Sequence, residues 1–574
     1  MREKREERGE RREERVVGRL RSIYGDRIDQ NLIDRILGLV DEFHVGNERP
    51  EEKWNQEDII LITYGDSILD EGEVPLKTLH NFLDKHLKEV ISILHILPFY
   101  PYSSDDGFSV IDYMQVNHDL GSWKDIEDLS KDYDLMADLV INHISKESLW
   151  FRNFIKGNGQ GGDYFIDMDP ATDLRQVIRP RRLPLLTAFD TENGVKHVWT
   201  TFSEDQVDLD FRNPVVCYEM LRVLLFYISK GARIIRLDAI AFLWKVVGTE
   251  CLHLPETHEM VRLMRDMAEM VDPRVIILTE TNVPNEENLS YLGNGDEAHM
   301  IYQFSLPPLL LHALYSGNSS YLNNWASSIP DPPRGCTYFN FTASHDGIGV
   351  RPLEGLLPET EFMELLEAMR NNGAHISTRR NADGSDTPYE MNITYFDALK
   401  SAKNGQGGQQ VRRFLCSQAI MMSMKGIPAF YIHSLTATTN YHEGVKASGR
   451  ARTINRRKWN LDELTLSPWD ENPQATVFNE LSDLIRIRKK QAAFHPDAGQ
   501  EVMDPGNDFF AIKRISPGQN IVVIANISHQ NKTINSNNLE IISNNYIDLI
   551  SGMQYHANQE ISIYPYQTLW ISST

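Results

Sequence analysis

A chain of 574 residues with 81 Asp and Glu against 58 Lys and Arg carries a formal net charge of -23. That balance argues against nucleic acid or an anionic membrane as partner and leaves any anionic substrate dependent on a locally basic pocket. The length admits a large catalytic domain with one or two smaller ones, and Cys217, Cys251, Cys336 and Cys416 form no CxxC pair, which predicts free thiols in a reducing, cytoplasmic compartment.

In chain order, residues 1–57 form an N-terminal helical segment. Between Met1 and Arg15 it interleaves Glu with Arg and Lys and has no apolar core. It is neither a secretory signal nor a membrane span, and its near-balanced charge predicts a solvated helix or frayed tail rather than a nucleic-acid arm. From Asp58 onward an apolar strand, a polar loop and an amphipathic helix recur, with strands expected at 59–64, 90–99, 135–142, 232–237, 275–279, 300–304, 337–342 and 427–433. Eight βα units predict an α/β fold, a (β/α)8 TIM barrel over 58–144 and 203–495 with its site at the carboxyl ends of the strands.

Two segments are too long for ordinary barrel loops and are expected to overhang that mouth. One spans 145–202 and carries Gly157, Gly159, Gly161, Gly162, Arg179, Arg181 and Arg182. The other spans 347–399. The glycine cluster lacks Gly-Lys-Ser/Thr and an adjoining strand, so it predicts a flexible loop rather than a phosphate loop. Val477, Phe478, Leu481, Leu484 and Ile485 recur at helical spacing as a core face, and from 496 to 574 alternating strands and Asn/Ser/Gly turns predict a C-terminal antiparallel β domain.

Four strand ends carry the chemistry: Asp138 to His143, Gly231 to Asp238, Ile276 to Glu280, and Phe341 to Asp346. Most open with a β-branched run and break into Asp, Glu, His, Arg or Asn where a buried parallel strand should stop. A lone Asp after a strand is ordinarily a cap, but four such ends in one barrel describe a retaining glycosidase site. That chemistry needs a carboxylate nucleophile and a carboxylic acid about 5 Å apart across the glycosidic bond. Asp238 and Glu280, ending successive strands, fit those roles. Arg236, two residues before Asp238 and on the same face, would favour the ionised nucleophile. Asp346, His345 and His143 would be further sugar contacts. No metal site stands out, since Asp138, Asn142 and His143 are accounted for by this scaffold.

These segments resemble the signature regions of the α-amylase superfamily, and Gln206-Val207-Asp208-Leu209-Asp210 is similar to its fifth. The resemblance implies that Asp238 is the nucleophile, Glu280 the acid/base and Asp346 a third carboxylate stabilising the distorted sugar, with Arg236, His143 and His345 as donor-glucose contacts. Within the superfamily, Leu61-Ile62-Thr63-Tyr64, Asp105-Asp106-Gly107-Phe108, Arg179-Pro180-Arg181, Leu306-Pro307-Pro308-Leu309 and His345-Asp346-Gly347-Ile348 resemble the sucrose phosphorylase group. That implies transfer of glucose to inorganic phosphate as co-substrate, without a cofactor. It further implies Asp105 and Arg456 clamping the far side of the glucose, Phe108 packing on it, and Arg181 with Tyr389 meeting phosphate. An Arg-bearing mobile insert suits this, because the second half-reaction must present an anion while keeping water away.

Two positions depart from the sucrose enzymes: Glu390 follows Tyr389 where Gln is usual, and Asn282 stands where His is usual. A carboxylate beside phosphate is costly unless a base pairs with it, which puts the fructose site in doubt. Ala241-Phe242-Leu243-Trp244-Lys245, His253-Leu254-Pro255, Thr281-Asn282-Val283-Pro284 and Arg351-Pro352-Leu353-Glu354-Gly355 are more similar to the glucosylglycerate phosphorylase branch. Glycerate brings a carboxylate, for which Arg379, Arg380 and Arg181 are the candidate partners. The expected activity is phosphorolysis of 2-O-α-glucosylglycerate. Sucrose or glucosylglycerol phosphorolysis, α-glucosidase or transglucosidase activity, and a non-catalytic binding subunit are the alternatives. A monomer or homodimer is expected.

Overall fold

The computed structural model describes residues 2–44, 52–180, 184–380, 385–403, 408–539 and 545–573. Eight parallel strands close into a barrel: β1 (Ile60–Thr63), β2 (Ile93–Ile96), β3 (Asp134–Val140), β4 (Ala232–Asp238), β5 (Ile276–Thr279), β6 (Met300–Tyr302), β7 (Thr337–Phe341) and β8 (Ile427–Tyr431). Each strand pairs with its chain neighbours and β1 closes on β8. All eight expected strands are present, six of them trimmed at one or both ends, one shifted to start at Asp134 and one, Ala232–Asp238, longer by a residue than expected. Their runs of Ile, Leu and Val are buried on both faces, as strands sheathed by helices require. Pro75, Pro214, Pro255 and Pro473 open four of the outer helices, where a missing N–H costs nothing.

The N-terminal helix (Arg2–Tyr24) leaves Arg11, Glu13, Glu14 and Arg15 exposed, as expected of a solvated helix, and packs through the part that follows. Val16, Leu20 and Ile23 are buried in the main core, and Arg12, Arg15 and Arg19 pair with Glu269, Asp266 and Glu259 of the helix Pro255–Val271. The basic residues find their partners on a neighbouring helix, so the segment docks. Among the described residues no helix is long and apolar enough to cross a membrane.

The segment after β3 contains a helix (Leu149–Lys156) and a hairpin (Leu186–Thr191 with Gly194–Trp199). The segment after β7 contains a helix (Glu359–Asn371) and a three-stranded antiparallel sheet, Ile348–Gly349, Asp386–Asn392 and His375–Arg380 in spatial order. Beyond the helix Pro473–Lys489 the chain forms a six-stranded antiparallel sheet. Phe510, Ile512, Ile521 and Val523 on one face join the barrel core, while Phe509, Ala511, Val522 and Ile524 on the other build a separate core, the period-2 alternation of a sheet buried on both sides.

Candidate active site

The parallel register of β3 and β4 sets Asp138 beside Arg236 and Val140 beside Asp238. Arg236 and Asp238, two residues apart, face the same way. The Arg236 guanidinium Nη1 donates to Asp238 Oδ1 at 2.6 Å and to Asp138 Oδ1 at 2.5 Å, its Nε donates to the Tyr302 hydroxyl at 3.1 Å, and its Nη2 lies 3.9 Å from Glu280 Oε2. On its other oxygen Asp138 contacts His95 Nε2 at 2.7 Å. The cation that gathers the two carboxylates is therefore itself held on two sides.

Glu280 continues β5 by one residue, its N–H donating to Leu237 O at 3.1 Å, and its Oε2 accepts from the Ala239 N–H at 3.2 Å. Ala239 has φ +52°, an uncommon conformation for a residue with a Cβ. The strained turn straight after Asp238 is what aims that N–H at Glu280.

Burial, opposed by Arg236 and reinforced by Glu280, pushes the Asp238 carboxyl up to about 8; burial raises Glu280 too. The pair then holds one proton around neutral pH. The Arg236 contact at 2.6 Å to Asp238, against 3.9 Å to Glu280, assigns the ionised form to Asp238 and the proton to Glu280.

At the end of β7, burial would raise Asp346, but Arg452, His345 and Arg456 overcome it and hold the carboxyl well below its usual range. Arg452 Nη1 lies 2.5 Å from Asp346 Oδ1, and Asn455 donates to the backbone oxygens of Ser344 and Asp346 at 3.1 and 2.9 Å. Burial and the nearby Arg456 push His345 down to about 3, so the ring is neutral. His143 is also lowered by burial, and its Nε2 contacts Phe108 O at 2.9 Å. His143, His345, Arg452 and Asp105 line one cleft with Asp238, Glu280 and Asp346, while Arg236 and Arg456 stand behind its lining.

Two expected contacts differ in detail. Phe108 lines the cleft, but its ring lies flat on His345, with centroids 4.6 Å apart and planes at 5°. Arg456, expected to clamp with Asp105, makes its short ion pair with Asp106 at 2.6 Å and stands 4.0 Å from Asp105, while its Nε donates to His345 O at 2.9 Å. Asp105 and Asp106 both have positive φ, at 55° and 51°, and this turn presents the second carboxylate to Arg456.

In the acceptor region the structure brings Arg179, Asn282, Tyr389 and Glu390 to the cleft; Arg181 lies outside the described residues. Burial and Glu390 push Tyr389 up to about 12, so its hydroxyl stays protonated. The Asn282 side chain presses on Gly349, where a Cβ would stand 2.7 Å from its amide, so a larger residue there would displace Asn282.

Two functional side chains were not singled out from sequence. Arg452 chelates Glu390 through Nε at 3.1 Å and Nη2 at 2.9 Å, supplying the base that Glu390 demands. The four arginines between 450 and 457 were the available signal. Lys245, also buried, sets its Nζ 2.6 Å from Asn142 Oδ1 and 2.7 Å from Asp208 Oδ2, and Asp208 also accepts from Thr201. Lys245 thereby ties the end of β3 to the base of the first insert.

The family model for the alpha amylase catalytic domain matches residues 85–326. The chain is 42% identical to a glucosylglycerate phosphorylase of Escherichia coli (strain K12) over 97% of its length and 100% of that protein's. It is 45% identical to one from Spirochaeta thermophila over 88% of each chain. A crystal structure of a sucrose 6F-phosphate phosphorylase from Thermoanaerobacter thermosaccharolyticum superposes with a TM-score of 0.72 at 28% identity, covering 82% of this chain and 94% of that one. With a closed eight-stranded barrel and carboxylates at the ends of β4, β5 and β7, this chain belongs to the α-amylase family, in its sucrose phosphorylase group.

Proposed function

We propose that the protein is a retaining phosphorylase that moves glucose from 2-O-α-glucosylglycerate to inorganic phosphate and releases α-D-glucose 1-phosphate. The observation that carries this reading is the gathering of Asp238 and Glu280 around Arg236 within a chain 42% and 45% identical to two glucosylglycerate phosphorylases over most of its length.

In the first displacement Asp238 Oδ attacks C1 of the glucosyl unit while Glu280 gives its proton to the departing glycerate oxygen, leaving a glucosyl ester. In the second, a phosphate oxygen attacks C1, Asp238 leaves as carboxylate and Glu280 takes the phosphate proton. Arg236 stabilises the carboxylate form of Asp238 in both steps, and Asp346, held ionised by Arg452, is available to the sugar hydroxyls. Neither step calls on a cofactor. We take the enzyme to be cytoplasmic, in keeping with its four free, buried cysteines.

The test is release of α-D-glucose 1-phosphate from glucosylglycerate, glucosylglycerol and sucrose, each with and without phosphate. Phosphate-dependent release that is fastest from glucosylglycerate supports the proposal. Glucose released at full rate without phosphate overturns it in favour of a hydrolase.

A further inference from the structure

Resting on the function just proposed, we infer that Arg351 and Arg379 form the subsite that grips the acceptor's carboxylate, with Arg351 as the anchor. The antiparallel sheet after β7 builds this site. Ile348 and Gly349 pair with Met391 and Glu390, and the N–H of Val350 donates to Tyr389 O at 3.1 Å, which brings Arg351 in beside Tyr389. On the other edge of the central strand, Arg379 pairs with Thr387, and the register skips Tyr389 between the pairs Ser377 with Glu390 and Thr378 with Pro388. A bulge at this point re-aims the tyrosine relative to a regular strand.

Arg351 is about nine-tenths buried and lines the cleft, yet its Nε has no hydrogen-bond partner among the described residues. Buried guanidinium donors are ordinarily satisfied, so an unsatisfied one on an arginine that lines a cleft points to a group that arrives with the substrate. Arg379 lines the same cleft. Its guanidinium is half-buried, and burial together with the charge of Arg351 lowers its pKa. Among the described residues, Glu354, half exposed, lies 3.7 Å from Arg351 Nε and 3.4 Å from Arg379 Nη2. Arg351 and Arg379 set two guanidinium groups side by side at the cleft of a protein of net charge -23, close enough for the charge of one to lower the pKa of the other.

The local chemistry favours a planar carboxylate. Glu390 is already neutralised by Arg452, so it does not compete for Arg351. A fork of guanidinium donors matches carboxylate geometry, and a neutral fructose or glycerol acceptor would leave the buried Arg351 Nε without a hydrogen bond, at a cost that disfavours those substrates. Phosphate shares the anionic chemistry, and the experiment separates the two sources.

Full-length enzyme and its Arg351→Met, Arg351→Lys and Arg379→Met variants are assayed with two donors. One is 2-O-α-glucosylglycerate. The other is α-D-glucosyl fluoride, whose leaving group carries no carboxylate; phosphate is varied with both. Arg351→Met is expected to lose ~100-fold in kcat/KM for glucosylglycerate, mainly through KM, and far less with glucosyl fluoride. Arg351→Lys should recover part of the loss, because the charge returns without the fork. A rise in the KM for phosphate that is equal with both donors overturns the inference and assigns the pair to phosphate. Unchanged glucosylglycerate kinetics in both methionine variants overturns it outright. If Arg351→Met fails to fold and so loses glucosyl fluoride turnover as well, Arg379→Met and Arg351→Lys carry the same comparison. Wild-type enzyme that uses glucosyl fluoride with phosphate but leaves glucosylglycerate untouched overturns the proposed function instead.

Discussion

Arg452 holds Glu390 through two hydrogen bonds at 3.1 and 2.9 Å, and its third guanidinium nitrogen reaches Asp346 at 2.5 Å. One cation thus serves a carboxylate of the sugar site and a carboxylate of the acceptor region. Arg452→Met strands Glu390 and leaves Asp346 to Arg456 at 3.7 Å, and breaking such a buried pair costs ~3–5 kcal/mol. The expected result is a large fall in kcat/KM and a lower melting temperature. Adding Glu390→Gln should restore part of the stability, since one stranded charge is then removed. Thermal unfolding of the two single variants and the double variant measures this; stabilities that simply add would show that the contact carries no coupling.

The shared proton of Asp238 and Glu280 predicts a bell-shaped pH profile. At low pH both carboxyls are protonated and the nucleophile is lost. With rising pH, activity falls as Glu280 gives up the proton that its raised pKa retains. Glu280→Gln should slow glucosylglycerate phosphorolysis by ~10³-fold, abolish the alkaline limb, and spare turnover of glucosyl fluoride, whose leaving group needs no proton. Equal losses with both donors would remove Glu280 from the acid role.

Asp238 also predicts a stability effect. Burial pushes its carboxyl up to about 8 and raises Glu280 with it, so in the window above the ordinary value of about 3.9 the folded pair keeps one proton, resident on Glu280, that the unfolded chain has released. Stability therefore falls as pH rises through the window. Asp238→Asn should melt above wild type at pH 8, with the difference shrinking toward pH 4, while activity drops by ~10³-fold or more. Melting curves at both pH values decide it; a variant less stable than wild type at pH 8 would mean that the Arg236 contact outweighs burial.

Lys245 neutralises Asp208 where the first insert joins the barrel, at 2.7 Å. Lys245→Met leaves that carboxylate buried without a cation, a loss of ~3 kcal/mol or more. Limited proteolysis should then cut within residues 145–202 faster than in wild type, and Asp208→Asn in the same chain should slow the cutting again. Proteolysis unchanged by Lys245→Met would show that the insert is held by its other contacts.

The sequence by itself determined the barrel and the strand ends that carry the candidate catalytic carboxylates, because both are written locally. An apolar β-branched run ending in Asp or Glu specifies a buried strand and the face it opens onto, so the strands and Asp238, Glu280 and Asp346 were legible from short segments. What only the tertiary structure decided are the pairings between segments distant in sequence. Arg452 meets Glu390 across 62 positions, Arg456 prefers Asp106 across 350, and Arg19 meets Asp266 of the helix Pro255–Val271 across 247. The approach of Arg351 to Tyr389 and Arg379 is of the same kind, since it rests on the register of the sheet after β7. Charged side chains are long, and which opposite charge each one meets depends on how helices and inserts close over the barrel, which no local pattern records.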